Sequence, residues 1–160
     1  MASQVKRSES GMITDPVTVR PDATIDQLDA LCGKYKVSGL PVLDENEKLV
    51  GIITNRDLRF LPVEEWSNIT VAQAMTPMPL ITGEVGIARE EAKKLLAQHR
   101  VEKLPLIDQD GRLAGLITVK DFVKDEQYPS ASKDDGGRLL VGAAVGFWGD
   151  SMKRAEALAQ

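Results

Sequence analysis

A tandem repeat constrains this chain of 160 residues more than any other feature of its sequence. Residues 51–57 read Gly-Ile-Ile-Thr-Asn-Arg-Asp, and 64 positions later residues 115–121 read Gly-Leu-Ile-Thr-Val-Lys-Asp. A Leu-Pro pair at 40–41 recurs at 104–105 with the same shift. Recurrence at a single offset predicts two copies of one small folding unit, placed one after the other.

Each copy predicts a β-hairpin that leads into a helix. In the first copy, residues 40–43 and 49–53 are rich in residues that favour strands. The polar segment 44–47 between them favours a turn. The second copy repeats this pattern over 104–117, so two matching hairpins are expected.

Another helix is expected ahead of each hairpin, and an extended segment ahead of each helix. One face of the first helix carries Ile25, Leu28, Leu31, Cys32 and Tyr35, and the second helix is expected near 87–100. The segments 12–19 and 77–81 contain prolines, which disfavour a regular helix. These elements predict an α/β (α+β) fold, with small sheets and packed helices in each repeat.

Composition argues against several functions. The formal net charge of −4, with lysine and arginine scattered along the chain, argues against a nucleic-acid surface. No apolar run approaches the ~20 residues of a membrane span, and the polar start is unlike a signal peptide. The one cysteine, Cys32, is interpreted as a core residue and fits a reducing cytoplasm. His99 has no catalytic partner motif, so a structural role is favoured.

The repeated Gly-h-h-Thr-x-x-Asp ending, where h is apolar, and the Leu-Pro opening of each hairpin resemble the cystathionine-β-synthase (CBS) domain. This domain occurs in pairs known as Bateman modules. The flanks 5–12, 128–134 and 137–146 are similar to bacterial IMP dehydrogenase, where its Bateman module joins the catalytic (β/α)8 barrel. The run 139–146 lacks the Gly-Lys-Ser/Thr ending of a phosphate-binding loop, so we interpret it as a barrel strand before a helical tail from Ser151.

The resemblance implies a domain organisation and a limit on activity. The expected parts are a barrel flank at 1–11, CBS repeats at 12–68 and 69–126, and a linker with a truncated barrel strand and helix at 127–160. The barrel, the cysteine loop and the flap of IMP dehydrogenase have no counterpart in these motifs. We therefore expect no enzymatic activity from this chain on its own, and a regulatory segment separated from its barrel.

Two nucleotide-binding sites are also implied by the resemblance. Asp57 and Asp121 are expected to accept hydrogen bonds from ribose hydroxyls, while basic side chains offset phosphate charge. The full expected set is Val17, Val37, Ser38, Thr54, Arg56, Asp57, Leu80, Arg100, Val101, Lys103, Thr118, Lys120 and Asp121, with no catalytic or metal-binding residue. An alternative stays open, because the two aspartates could merely cap helices and the threonines could merely end strands.

The expected function is control of IMP dehydrogenase, which oxidises IMP to XMP with NAD in GMP biosynthesis. The implied ligand is a purine nucleotide, ATP before AMP, ADP or GTP, with Mg2+ able to assist and no catalytic cofactor. Self-association through CBS modules and contact with the parent barrel are the expected partnerships. The alternatives are a free-standing CBS-pair adaptor or dimerisation scaffold that regulates another protein, and, least favoured, an active oxidoreductase.

Overall fold

The computed structural model describes residues 8–9, 12–127, 130–132, 140, 142 and 144–159. The first repeat comprises β1 (Ser8–Glu9), β2 (Met12–Ile13), α1 (Ile25–Tyr35), β3 (Gly39–Leu43), β4 (Leu49–Thr54) and α2 (Asn55–Leu58), followed by a 3-10 turn at Val63–Glu65. The second comprises α3 (Val71–Ala74), β5 (Thr76–Pro77), β6 (Gly83–Glu84), α4 (Arg89–His99), β7 (Lys103–Ile107), β8 (Leu113–Thr118) and α5 (Val119–Gln127). A last helix, α6, covers Ser151–Ala159.

The expected mixed fold is confirmed, and each predicted hairpin and helix lies within two residues of its expected position. In both hairpins the two strands pair antiparallel, and the register shifts at the same point, next to Leu43 in one and Ile107 in the other. In the predicted strand-like run at 139–146, residues 140, 142 and 144–146 are described and belong to no strand. The other three residues of the run and most of the flank at 1–11 lie outside the described residues. The helical tail expected from Ser151 is present as α6.

The two repeats exchange their short opening strands. β2 belongs to the start of the chain but pairs antiparallel with β8, so it joins the five-stranded sheet β1-β2-β8-β7-β6. β5, which lies 64 positions after β2, pairs with β4 of the first hairpin and completes the three-stranded sheet β3-β4-β5. Each hairpin is therefore finished by a segment that the sequence places in the other repeat.

The glycine that opens each repeated motif permits this exchange. A Cβ atom built on Gly51 would lie 2.6 Å from the Met75 sulfur and 2.8 Å from the Thr76 carbonyl oxygen. On Gly115 a Cβ atom would lie 3.2 Å from the Ile13 carbonyl oxygen. A side chain at Gly51 would displace the exchanged strand, whereas at Gly115 the neighbouring atoms would have to move by a few tenths of an ångström. Glycine thus allows close approach of two backbones, most strictly at Gly51.

Each repeat has its own apolar core, and the exchange links the two cores. The buried residues of the first core are Val19, Ile25, Leu28, Cys32, Leu40, Val42, Ile53, Leu58 and Val71. Those of the second are Ala92, Leu96, Leu104, Leu106, Ile117 and Phe122. Val71 begins α3 yet is fully buried in the first core, and Met12 of β2 packs against the second. Among the described helices, none is long and apolar enough to cross a membrane.

Candidate functional site

Both repeated motifs place a carboxylate at the start of a helix, where it holds the end of the preceding strand. In the first repeat the Thr54 backbone N–H and the Thr54 hydroxyl each donate a hydrogen bond of 2.7 Å to Asp57 Oδ2. In the second, Thr118 makes the same two bonds to Asp121 Oδ2, at 3.0 and 2.7 Å. Each motif thus forms a capping arrangement that fixes its aspartate.

The capping geometry leaves each aspartate with acceptor capacity. Both hydrogen bonds to Asp57 fall on Oδ2, and both bonds to Asp121 fall on the same oxygen of that residue. An ionised carboxylate has about four lone-pair sites on its two oxygens. The capping interpretation and the binding interpretation are therefore compatible, since Oδ1 of either residue can accept further hydrogen bonds.

Asp57 lies in a cleft of about 350 Å³ formed by both repeats. Its lining residues are Ile52, Thr54, Arg56, Asp57, Thr76, Leu80, Ile81, Val101, Glu102, Lys103 and Pro105. The first repeat supplies the end of β4 and the start of α2, and the second supplies the segments on either side of α4. Ile52, Leu80, Ile81, Val101 and Pro105 provide apolar surface, and Thr54, Arg56, Asp57, Thr76, Glu102 and Lys103 provide polar groups.

Six of the residues predicted from the sequence come together in this cleft: Thr54, Arg56, Asp57, Leu80, Val101 and Lys103. The cleft also contains Ile52, Thr76, Ile81, Glu102 and Pro105, which the sequence analysis did not select. The offset of 64 could have identified two of them, because Ile81 corresponds to Val17 and Glu102 corresponds to Ser38. Thr76 could be found only from the strand exchange, which brings β5 beside β4.

Another six predicted residues do not line this cleft but are related to it by the repeat. Val17, Val37, Ser38, Thr118, Lys120 and Asp121 correspond, 64 positions apart, to Ile81, Val101, Glu102, Thr54, Arg56 and Asp57. We call this set the second position. The remaining predicted residue, Arg100, ends α4 in the left-handed conformation with φ 54°. Arg100 is exposed and does not line the cleft, so its role stays a prediction.

Lys103 connects the cleft with the second position. Its Nζ atom donates a 3.0 Å hydrogen bond to the Ser38 hydroxyl, across the two repeats. Burial lowers the pKa of Lys103, Lys120 and Arg56 lower it further, and Glu102 and Cys32 oppose the shift. The ammonium group is thus poorly hydrated and lies among other cations, an arrangement that an anionic ligand would stabilise.

The remaining chemistry-bearing residues fit structural roles. Cys32 is buried in the first core, and this burial raises the pKa of its thiol, so the group is protonated at neutral pH. His99 is exposed in the last turn of α4. Within the part of the chain that the structure describes, no group of three or more His, Cys, Asp or Glu side chains could hold a metal ion.

Two helix-and-hairpin units that exchange strands around a cleft define a tandem CBS pair. The family model of the CBS domain matches residues 3–64 and 71–127, and the chain belongs to the CBS-domain family.

Within that family the chain is similar to inosine-5'-monophosphate dehydrogenases, as the sequence predicted. It is 61% identical over 154 residues to the protein of this name from Bifidobacterium longum, a match that covers 96% of this chain and 28% of the relative. The chain therefore spans less than a third of the length of that relative.

Solved structures show the same fold. GMP reductase from Trypanosoma brucei, in complex with guanosine 5'-triphosphate, matches with a TM-score of 0.78 and 38% identity, over 99% of this chain and 38% of that one. CBSX2 in complex with AMP matches with a TM-score of 0.63 and 30% identity, over 74% of this chain and 92% of that one.

Proposed function

We propose that this chain is a regulatory module that binds purine nucleotides. The observation that carries this proposal is the position of Asp57 in the cleft, with both capping bonds on Oδ2 and Oδ1 left for a ligand. A ribose presents two neighbouring hydroxyl donors, and a carboxylate oxygen can accept both. Because Asp121 is held in the same way, we assign it the same function at the second position.

The other residues that line the cleft could bind the base and the phosphates of a nucleotide. Leu80, Ile81 and Val101 supply apolar surface for a purine base. Arg56 and Lys103 supply positive charge for phosphate oxygens. A cleft volume of about 350 Å³ falls within the range of about 300–1,000 Å³ that is typical of small-molecule sites.

Nucleotide complexes of similar proteins support this ligand class. The solved structures that resemble this chain include one with a guanine nucleotide, GTP, and one with an adenine nucleotide, AMP. For this chain we propose ATP as the main ligand, with AMP, ADP and GTP as competitors. Mg2+ would be held chiefly by the phosphates, because the described residues offer no acidic cluster for it.

The proposed biological role is control of an IMP dehydrogenase that oxidises IMP to XMP with NAD. Support comes from the 61% identity to an IMP dehydrogenase over nearly the whole chain. In this proposal the nucleotide changes the activity or the assembly of the catalytic barrel, and the modules contact each other between subunits. Such control requires unequal affinity of the nucleotide for the two states.

A free-standing adaptor is the second candidate, favoured by one specific observation. This chain covers 92% of CBSX2, so a CBS pair can make up almost all of a protein chain. In that case the cleft and the second position would bind nucleotides, and the chain would regulate a separate partner protein. Mixing the chain with a barrel-only IMP dehydrogenase and measuring NADH production with and without ATP distinguishes the two candidates, since only the first predicts a change.

Calorimetric titration with ATP, AMP and GTP, with and without Mg2+, tests the proposed binding. Two variants, Asp57→Asn and Asp121→Asn, keep an oxygen for the capping bonds but present an amide donor where Oδ1 stood. Each variant should abolish one binding step. Ligand at about one hundred times its dissociation constant should stabilise the fold by ~2.7 kcal/mol, measured by thermal denaturation.

The matched control is Gln73→Ala. Gln73 caps α3 through a 2.8 Å bond from the Thr70 backbone N–H, and it does not line the cleft. This variant should lose a cap and keep both binding steps. If no purine nucleotide gives heat or stabilisation with the wild type, the proposal of a nucleotide sensor is withdrawn.

A further inference from the structure

Lys103 is placed so that it can serve two ligands. It lines the cleft together with Arg56 and Asp57, yet its Nζ atom donates its 3.0 Å hydrogen bond to Ser38 of the second position. Arg56 and Lys120, which correspond to each other in the two repeats, both act on Lys103 electrostatically. Lys103 therefore lines the cleft and contacts a residue of the second position at the same time.

The first repeat has no room for a second lysine of this kind. The residue that corresponds to Lys103 is Gly39. A Cβ atom built on Gly39 would lie 2.6 Å from the Ile53 carbonyl oxygen and 2.8 Å from the Thr54 Cα atom. Because backbone atoms occupy that space, a side chain cannot be accommodated without displacing β4. Two otherwise similar positions thus share a single half-buried ammonium group.

From this arrangement we infer that Lys103 makes the two nucleotide positions compete, so that an anionic ligand in one position weakens binding of an anionic ligand in the other. A nucleotide in the cleft draws Nζ from Ser38 toward its phosphates. A nucleotide at the second position then meets Lys120 and Ser38 without Lys103. The inference rests on the proposed function and adds a regulatory property to the same sites. As nucleotide concentration rises, the two positions should be occupied gradually and not in one cooperative step.

The phosphate count of the ligand should set the strength of this coupling. ATP carries more negative charge than AMP and gains more from an ammonium group in a poorly hydrated site. Adenosine carries no phosphate and has nothing for Lys103 to neutralise. The coupling should therefore decrease from ATP to AMP and vanish with adenosine.

A calorimetric cycle measures the coupling directly. The affinity of the cleft for ATP is measured in Asp121→Asn, that of the second position in Asp57→Asn, and both steps together in the wild type. The product of the two wild-type binding constants, divided by the product of the single-position constants, is the coupling factor. We expect the coupling factor to be about fivefold or more below one, and fivefold is the low end of typical allosteric couplings.

The same cycle in a Lys103→Met background should bring the coupling factor close to one, because the shared cation is gone. Ser38→Ala gives an independent test that does not remove the lysine. Without its hydroxyl partner, Lys103 should bind ATP in the cleft more tightly. If the hydrogen bond is merely structural, the variant should bind ATP as tightly as the wild type or more weakly.

Four results would overturn the inference. Three concern the coupling factor: a value near one in the wild type, a value unchanged by Lys103→Met, and equal values with adenosine and ATP. The fourth is a Ser38→Ala variant that binds ATP in the cleft no more tightly than the wild type. In each of these cases binding at the single positions would still support the proposed function. Absence of binding at both positions would instead remove the proposed function and the inference together.

Discussion

The carboxylate of Asp57 accepts two hydrogen bonds from Thr54 on one oxygen, and the residue also lines the cleft. Oδ2 receives two bonds from Thr54, and Oδ1 keeps its acceptor capacity. This division explains why the sequence alone could not separate a capping aspartate from a binding aspartate, because one residue can be both. Under the proposed function, a substitution of Asp57 should change the free energy of unfolding and the nucleotide affinity by different amounts, and these can be measured separately.

Replacing Asp57 with Ala should lower the free energy of unfolding by about 1 kcal/mol, the typical value of a lost helix cap. Asp57→Asn should cost less, because its amide oxygen can still accept the Thr54 bonds. Urea denaturation without nucleotide measures both values. Gln73→Ala serves as the reference for a lost cap outside the cleft, and an Asn variant as unstable as the Ala variant would contradict the division.

The half-buried lysine makes stability depend on pH. Burial lowers the pKa of Lys103 below its ordinary value of 10.5, so between the two values the unfolded chain binds more protons than the folded chain. Under that condition the free energy of unfolding rises with pH. The cost of the buried charge is fully present below the lowered pKa and is relieved as pH rises toward 10.5.

The measurement is urea denaturation of the wild type and Lys103→Met from neutral pH upward. The wild type should gain stability relative to the variant as pH approaches 10.5. The pair is also compared in a Cys32→Ala background, because the raised pKa of the Cys32 thiol has the opposite effect on the pH dependence and Lys103 lowers that pKa. If the free energy of unfolding of the wild type, minus that of the variant, stays constant or falls as pH rises, Lys103 is hydrated in solution.

At the scale of elements, two-residue strands decide how the repeats fit together. β2 and β5 have no periodicity that could identify them as strands, since two residues cannot show alternation. β5 pairs beside Gly51, where an added Cβ would lie 2.8 Å from the Thr76 carbonyl oxygen, and β2 passes Gly115, where an added Cβ would lie 3.2 Å from the Ile13 carbonyl oxygen. The motif glycines, found from the repeat, thus have a function that became clear only from the three-dimensional arrangement.

Gly51→Ala should destabilise the protein by about 1–3 kcal/mol, as expected for an overpacked contact. The added Cβ would meet the Met75 sulfur and the Thr76 carbonyl oxygen at less than van der Waals distance. Gly33→Ala is the matched control, because Gly33 lies in α1 with nothing within 4 Å of an added Cβ. There alanine should be neutral or stabilising, by up to ~1 kcal/mol, through its helix propensity. Thermal denaturation of both variants gives the comparison, and equal changes of the same sign would contradict it.

At the scale of the whole molecule, the sequence predicted the units but not their connection. Hairpins and long helices follow from local patterns, and both expected aspartates occupy equivalent places. The contact between Lys103 and Ser38 joins residues 65 positions apart, and no local pattern encodes it. The lining residue Thr76 reaches the cleft only through the pairing of β5 with β4. Long-range packing thus accounts for Thr76 and for the contact between Lys103 and Ser38, whereas Ile81 and Glu102 could have been found from the repeat offset.

The exchange of strands predicts that the two cores unfold together. Loss of either repeat would leave a strand of the other without its sheet, so an intermediate with one folded repeat should not accumulate. Trp66 packs against the first core, and Trp148 is 84% exposed. In a Trp148→Phe variant, fluorescence therefore follows the first repeat, while far-UV circular dichroism follows the helices of both.

The two signals should give one coincident transition in urea. Separate midpoints would show that the repeats unfold independently and that the exchanged strands contribute little to the linkage.

The pairing of β2 with β8 also imposes an order on biosynthesis. Met12 and Ile13 leave the ribosome roughly a hundred residues ahead of their partners Leu116 and Ile117. At about 5–20 residues per second, the wait is on the order of 5–20 s. During this time the first hairpin can collapse with its helix, but β2 has only the two-residue strand β1 as a neighbour. The sheet that contains β2 can thus be completed only after the second hairpin has been synthesised. Chaperones can bind β2 during that interval.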